Sequence, residues 1–222
     1  MQGIMESLFD VVYLSTVTFI GIYMMKNSNG NKQYKLFGFM AIVLGVGDAF
    51  HLIPRMIALL TTGLNSFTYY LGIGKFITSI TMTFFYVILY HVYKIRYGVK
   101  NDRTLTYSIY GLSIIRIVLC LLPQNKWTSI DAPLSMGIIR NIPFLILGIL
   151  IIIIFYKQRI NDKSFKYMWL TIVLSFAFYL PVVLFADKYP LIGMLMIPKT
   201  CAYVWTILIG FNDMKKKGEI KI

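Results

Sequence analysis

The run LSMGIIRNIPFLILGILIIIIFY, Leu134 to Tyr156, carries one charged residue, Arg140, and its later half, with Ile151 to Ile154 unbroken, is apolar on every side. A helix rises about 1.5 Å per residue, so a run of this length crosses a hydrocarbon core of about 30 Å. Working outward, six more stretches of the same kind follow the chain: Ser7 to Met25, Leu36 to Leu60, Phe67 to Tyr93, Leu105 to Leu122, Tyr167 to Ala186 and Pro190 to Phe211. The whole composition agrees. Hydrophobic residues make up 58% and charged residues 14%, and the mean hydropathy is +0.70, values that exclude a soluble enzyme, a disordered tail and a secreted disulfide scaffold. The expectation is an all-α polytopic membrane protein, one domain over residues 1–222 with seven transmembrane helices. Glu6 precedes the first stretch where a cleavable signal peptide would carry basic residues, so that stretch is expected to stay as a helix. Cys120 and Cys201 fall in apolar segments at different depths and are not expected to pair.

The net charge of +13 has a topological reading. The connections Lys26 to Lys35, Lys94 to Arg103 and Lys157 to Lys166, with the tail after Phe211, hold 15 of the 22 basic residues, whereas the alternate connections hold only Lys126 and Lys188. Lys and Arg are retained on the cytoplasmic side, which places the N-terminus outside and the C-terminus inside. The tail lysines Lys215, Lys216 and Lys217 then face anionic membrane lipid. No soluble basic domain exists to read a groove, so nucleic acid is excluded as a partner.

Five basic residues remain, all inside spans: Arg55, Lys75, Arg116, Arg140 and Lys199. Counted from the outer end of each span they lie roughly 6 to 14 Å deep, on five different helices. Intramembrane charge is expensive, about 2.5 to 3.5 kcal/mol or more at the bilayer centre, so a shared layer calls for a cause. Arg55 and Arg140, one turn from their helix ends, can lift their heads into the headgroups; Lys199, deeper in its span, reaches the surface poorly. In the second span Asp48, His51 and Arg55 follow one another at i, i+3 and i+7, forming a polar stripe that faces the bundle interior. Two readings of that stripe stand side by side: an ion pair joining helices, or Asp48 orienting His51 as a general base. Thr78 and Ser79 lie one turn after Lys75, Asn141 adjoins Arg140 and Thr200 adjoins Lys199. Pro54, Pro143, Pro181 and Pro198 fall in the outer parts of four spans, where each is expected to kink its helix. Five cations against Asp48, with Asp131 and Asp187 in nearby loops, make an electropositive layer that invites a carboxylate, a lipid phosphate or a small phosphorylated metabolite.

Seven helices, Lys199 in the middle of the seventh and Phe178-Tyr179-Leu180-Pro181 in the sixth resemble the opsin-like architecture of microbial rhodopsins. That resemblance implies retinal as a Schiff base on Lys199, although the third span has no acid and Leu195 stands one turn before the lysine. The helix count is also similar to intramembrane metal hydrolases of the ceramidase and adiponectin-receptor type. Those need several histidines for zinc, and only His51 and His91 occur, toward opposite faces, so no metal is expected. The runs GVGDAFHLIPR (Gly45 to Arg55), RNIPF (Arg140 to Phe144) and MLMIPKTCAYVW (Met194 to Trp205) resemble a family of small membrane proteins from Gram-positive anaerobes, which implies a bacterial plasma membrane.

Three functions follow as expectations. The first is a receptor or carrier binding an anionic small molecule or lipid headgroup through Arg55, Lys75, Arg116, Arg140, Asn141, Tyr179, Lys199 and Thr200, with no cofactor. The second is an intramembrane enzyme acting on an outer-leaflet lipid with Asp48 and His51. The third is an opsin-like protein or proton-linked transporter switching on Lys199 and Asp48. Oligomeric state is open.

Overall fold

The computed structural model describes residues 2–100, 102–186 and 188–218, and among them the chain is all-helical, with no strand. Asp187 and Lys221 lie outside the described residues. The helices are α1 (Gln2–Lys26), α2 (Lys32–Leu60), α3 (Thr68–Tyr97), α4 (Arg103–Leu121), α5 (Leu134–Gln158), α6 (Met168–Phe185) and α7 (Met196–Lys216). Short 3-10 turns, Leu64–Phe67, Pro123–Asn125 and Pro190–Leu195, precede α3, follow α4 and precede α7. All seven helices are long and apolar enough to cross a membrane, the architecture of a multi-pass membrane protein.

Helix ends are set by local chemistry. Asn31 caps α2 by accepting from the Gln33 and Tyr34 amides, and Asp102 caps α4 by accepting from Leu105. Four ends depart most from the sequence expectation. The first helix begins at Gln2; the third runs on to Tyr97 and takes Arg96 into its last turn; the seventh starts at Met196, after a 3-10 turn over Pro190–Leu195, and ends at Lys216, so it includes Asp213. Where a helix outruns its apolar stretch the added turn carries charge, Glu6 in α1, Arg96 in α3 and Asp213 in α7, whereas the turn before α7 is uncharged and so reads as part of the span.

Each helix packs on the next along the chain, and α7 closes the bundle against α1 and α2. The first three helices approach closest. A Cβ on Gly38 would lie 2.7 Å from the Gly21 carbonyl oxygen, and one on Gly74 would lie 2.4 Å from the Phe50 oxygen. Phe50 is four residues before Pro54, so its carbonyl has lost its helical partner and meets the α3 backbone at Gly74 instead. Pro54, Pro143 and Pro181 lie inside their helices. Pro198 does not act as expected: it is the third residue of α7, in a first turn whose N–H groups have no helical acceptor, so it starts the helix instead of kinking it.

The bundle interior is aromatic, with Tyr86, Phe144 and Phe176 in mutual ring contact at its centre. Large apolar side chains such as Leu8, Val12 and Phe19 on α1 are exposed on the outside, as a lipid-facing surface requires.

Candidate functional site

Because successive helices reverse direction, charge collects at two levels. At the end holding the C-terminal tail, Arg96 donates through Nε and Nη2 to both oxygens of Asp162 and through Nη1 and Nη2 to both oxygens of Asp213, the Nη contacts measuring 2.7 to 3.1 Å. Its guanidinium lies 3.7 Å from the centre of the Phe165 ring. Tyr97 donates to Asp162 at 2.8 Å and Tyr34 to Asp213 at 2.9 Å, so α2, α3, α7 and the segment before α6 are tied at one point. Burial pushes the Asp162 carboxyl up, but the hydrogen bonds from Arg96, Tyr97 and the Phe165 amide, with the guanidinium charge, outweigh it and hold it down at about 2. The sequence reading counted Arg96 only as a topological charge.

The five cations of the other half do not form one site. Arg55 pairs with Glu6 of α1, and the buried Asp10, one turn further along α1, lies within reach of the same charges. Glu6 and Asp10 thus correct the expected balance of five cations against Asp48 alone. Asp48 accepts from the Tyr13 hydroxyl at 2.7 Å, toward α1, whereas His51 directs Nδ1 to the Leu71 carbonyl at 3.3 Å, toward α3. The two are turned apart, and the expected Asp48–His51 couple is not made. Arg140 donates to Asn125 at 2.9 Å and lies 4.1 Å over the Trp127 ring; Asn125 in turn donates to the carbonyls of Leu119, Cys120 and Leu122 and so seals the end of α4. Asn141 donates to Gly137 and accepts from Tyr179 at 3.0 Å, joining α5 to α6. Lys75 is exposed, and neither it nor Thr200 lines the cavity described next.

Arg116 and Lys199 do come together. They line one cavity of about 40 Å³ with Thr78, Ser79, Met82, Phe144, Tyr179 and Tyr203. Arg116 is 2% exposed and Lys199 7%. The Arg116 guanidinium stacks 3.2 Å from the centre of Phe144, and its Nε and Nη1 have no hydrogen-bond partner. Lys199 sends its ammonium over the rings of Tyr179 and Tyr203, at 5.1 and 5.4 Å. No described carboxylate forms an ion pair with either cation, although Lys199 feels the charge of Asp48.

The hydroxyls around the cavity are already committed in part. Thr78 donates to the Gly47 carbonyl and Ser79 to that of Lys75, while Tyr179 donates to Asn141. Tyr203 is committed as well: Ser175 donates to the Ile172 carbonyl at 2.8 Å, so Tyr86 donates to Ser175 at 3.3 Å and Tyr203 donates to Tyr86 at 3.4 Å. The donors left over belong to the two cations, Arg116 and Lys199, and an anion is the species they fit.

Tyr13, Phe144 and Tyr203 were not singled out from the sequence. For α1 a signal exists: Glu6, Asp10 and Tyr13 fall on one helical face. A groove of about 360 Å³ between α3, α4 and the Pro123–Thr128 segment is apolar apart from Lys126 and Thr128. Among the described residues no group of three His, Cys, Asp or Glu side chains is placed to hold a metal ion. The chain matches no protein-family model, no curated protein and no solved structure.

Proposed function

We propose that this protein is a seven-helix receptor or carrier that binds an anion between α3, α4, α5, α6 and α7, with Arg116 and Lys199 as the binding groups. The observation that carries the reading is Arg116: a buried guanidinium, stacked on an aromatic ring, with two nitrogens unpartnered beside a cavity that holds a second cation. Leaving buried donors unmade costs about 1–3 kcal/mol each, more for charged groups, and an anion in the cavity removes part of that cost. Tyr179 positions Lys199 from one side, and Asp48, held by Tyr13, balances part of its charge. The concentration of 15 basic residues at the opposite end supports a cytoplasmic C-terminus, which sets the cavity in the outer half of the membrane. A retinal chain needs a pocket of roughly several hundred Å³, so the volume beside Lys199 favours the anion.

The test is thermal unfolding of the purified protein in gluconate, a sugar acid larger than the cavity, titrated with other sodium salts. A bound anion at about a hundred times its Kd raises stability by about 2.7 kcal/mol. The gain should vanish in Arg116→Gln and Lys199→Met and persist in Arg140→Gln, whose parent side chain serves the α4 end. A wild-type protein that responds to no anion, or a response untouched by either cavity substitution, would sink the proposal.

A further inference from the structure

The walls of the cavity say more about the ligand than its sign. A cavity needs roughly 10–15 Å³ of this kind of volume for each water-sized group, so about 40 Å³ admits about three such groups. On its aromatic side the cavity is bounded by close packing, Phe144 against Tyr86, Phe176 and Tyr179, and Tyr203 against Phe85. A lipid headgroup, a phosphorylated metabolite and a dicarboxylate are all larger than this.

Charge narrows the class again. Two cations line the cavity, and Asp48 stands behind Lys199 with its own oxygen bonded to Tyr13. One further negative charge balances the pair, and a second would be buried without compensation. The unpartnered Nε and Nη1 of Arg116 lie on different edges of its planar guanidinium, so a compact anion engages one of them at a time, through a single atom or one oxygen of a planar anion. Lys199 closes the shell from α7.

From this geometry we infer that the ligand is a small monovalent anion of one to about four non-hydrogen atoms, such as chloride, nitrate, formate or bicarbonate, held without its full water shell by Arg116 and Lys199. The inference rests on the anion-binding reading above and adds the size and charge of the occupant. The apolar walls supplied by Met82 and Phe144 replace water on the remaining sides of the anion.

A size series on the wild-type protein tests it without any substitution. Apparent affinities are read from thermal unfolding for formate, acetate, propionate and butyrate, with chloride and nitrate as compact references and phosphate and glycerol phosphate as larger ones. Formate, chloride and nitrate should stabilise the protein, each added methylene should weaken binding by about tenfold, and the two phosphates should be silent. Butyrate or glycerol phosphate binding as tightly as formate, and lost in Arg116→Gln, would overturn the size class and leave anion binding at this site intact. Silence toward every anion overturns both. A second variant, Ser79→Leu, puts three carbons where the hydroxyl oxygen stands while leaving Arg116 and Lys199 in place, and should abolish the formate response in protein that elutes as a folded monodisperse peak. A full response from that variant would move the site elsewhere, and should the variant not fold, the size series decides alone.

Discussion

Arg96 and Arg116 invite comparison because the chain treats them alike in one respect and oppositely in another. Each guanidinium lies flat on a phenylalanine ring, Phe165 at 3.7 Å for Arg96 and Phe144 at 3.2 Å for Arg116. Around Arg96 the fold supplies two carboxylates, each engaged through both oxygens, and a tyrosine for each carboxylate. Around Arg116 it supplies a cavity and a second cation. The stacked ring positions a guanidinium in both places but neutralises it in neither. What differs is the counter-charge: at the basic end the chain supplies it within the structural knot, whereas no described carboxylate pairs with Arg116.

The sharpest test of the comparison is Arg96→Met. It leaves Asp162 and Asp213 facing each other without their shared cation, and removing one partner from such a buried set costs about 3–5 kcal/mol. The loss should appear as a lower unfolding midpoint in detergent. Arg96→Lys should recover only part of it, since an ammonium cannot grip two carboxylates through both oxygens of each.

Acid should reach the same knot next. Asp162 titrates at about 2 in the folded protein against 3.8 as its ordinary value. A depressed carboxyl contributes stability that is whole above its unfolded value and is lost as protons bind, so the midpoint should fall between about pH 4 and pH 2. Asp162→Asn should flatten that acid limb while lowering stability at neutral pH; an unchanged limb would show that Asp162 is not what acid releases. A smaller effect is expected from Tyr13→Phe, which strips Asp48 of its hydroxyl donor and should lower stability by about 1–3 kcal/mol, read in the same assay.

The two regions were unequally legible in the sequence. Seven spans could be read because an unbroken apolar run such as Gly148 to Phe155 has no other use, and the buried cations stood out because charge in such a run is costly. Which cation meets which acid could not be read. That depends on helix rotation, and Asp48 with His51, neighbours along one stripe, end up facing different helices. Glu6, at the edge of its hydrophobic run, bore only on the signal-peptide question, and Arg96, a basic residue near a cytoplasmic loop, is fully explained by topology, so neither stood out as an ion-pair partner. Arg116 and Lys199 were both visible as buried charges, but the enclosing Phe144 and Tyr203 look like ordinary core aromatics until the helices are assembled.

The smallest change in stability is expected where the comparison predicts a reversal. Arg116→Met shortens the side chain to about the position of Nε and gives up the guanidinium contact with Phe144, while removing a buried charge that has no carboxylate. Replacing buried charged groups by well-packed apolar ones is commonly neutral or stabilising by up to about 4 kcal/mol, so in gluconate the variant should unfold within about 1 kcal/mol of wild type, or above it. In chloride the order should invert, because only the wild type gains from the anion. A loss in gluconate as large as that of Arg96→Met would mean that Arg116 is already compensated within the chain, and the contrast between the two arginines would fall.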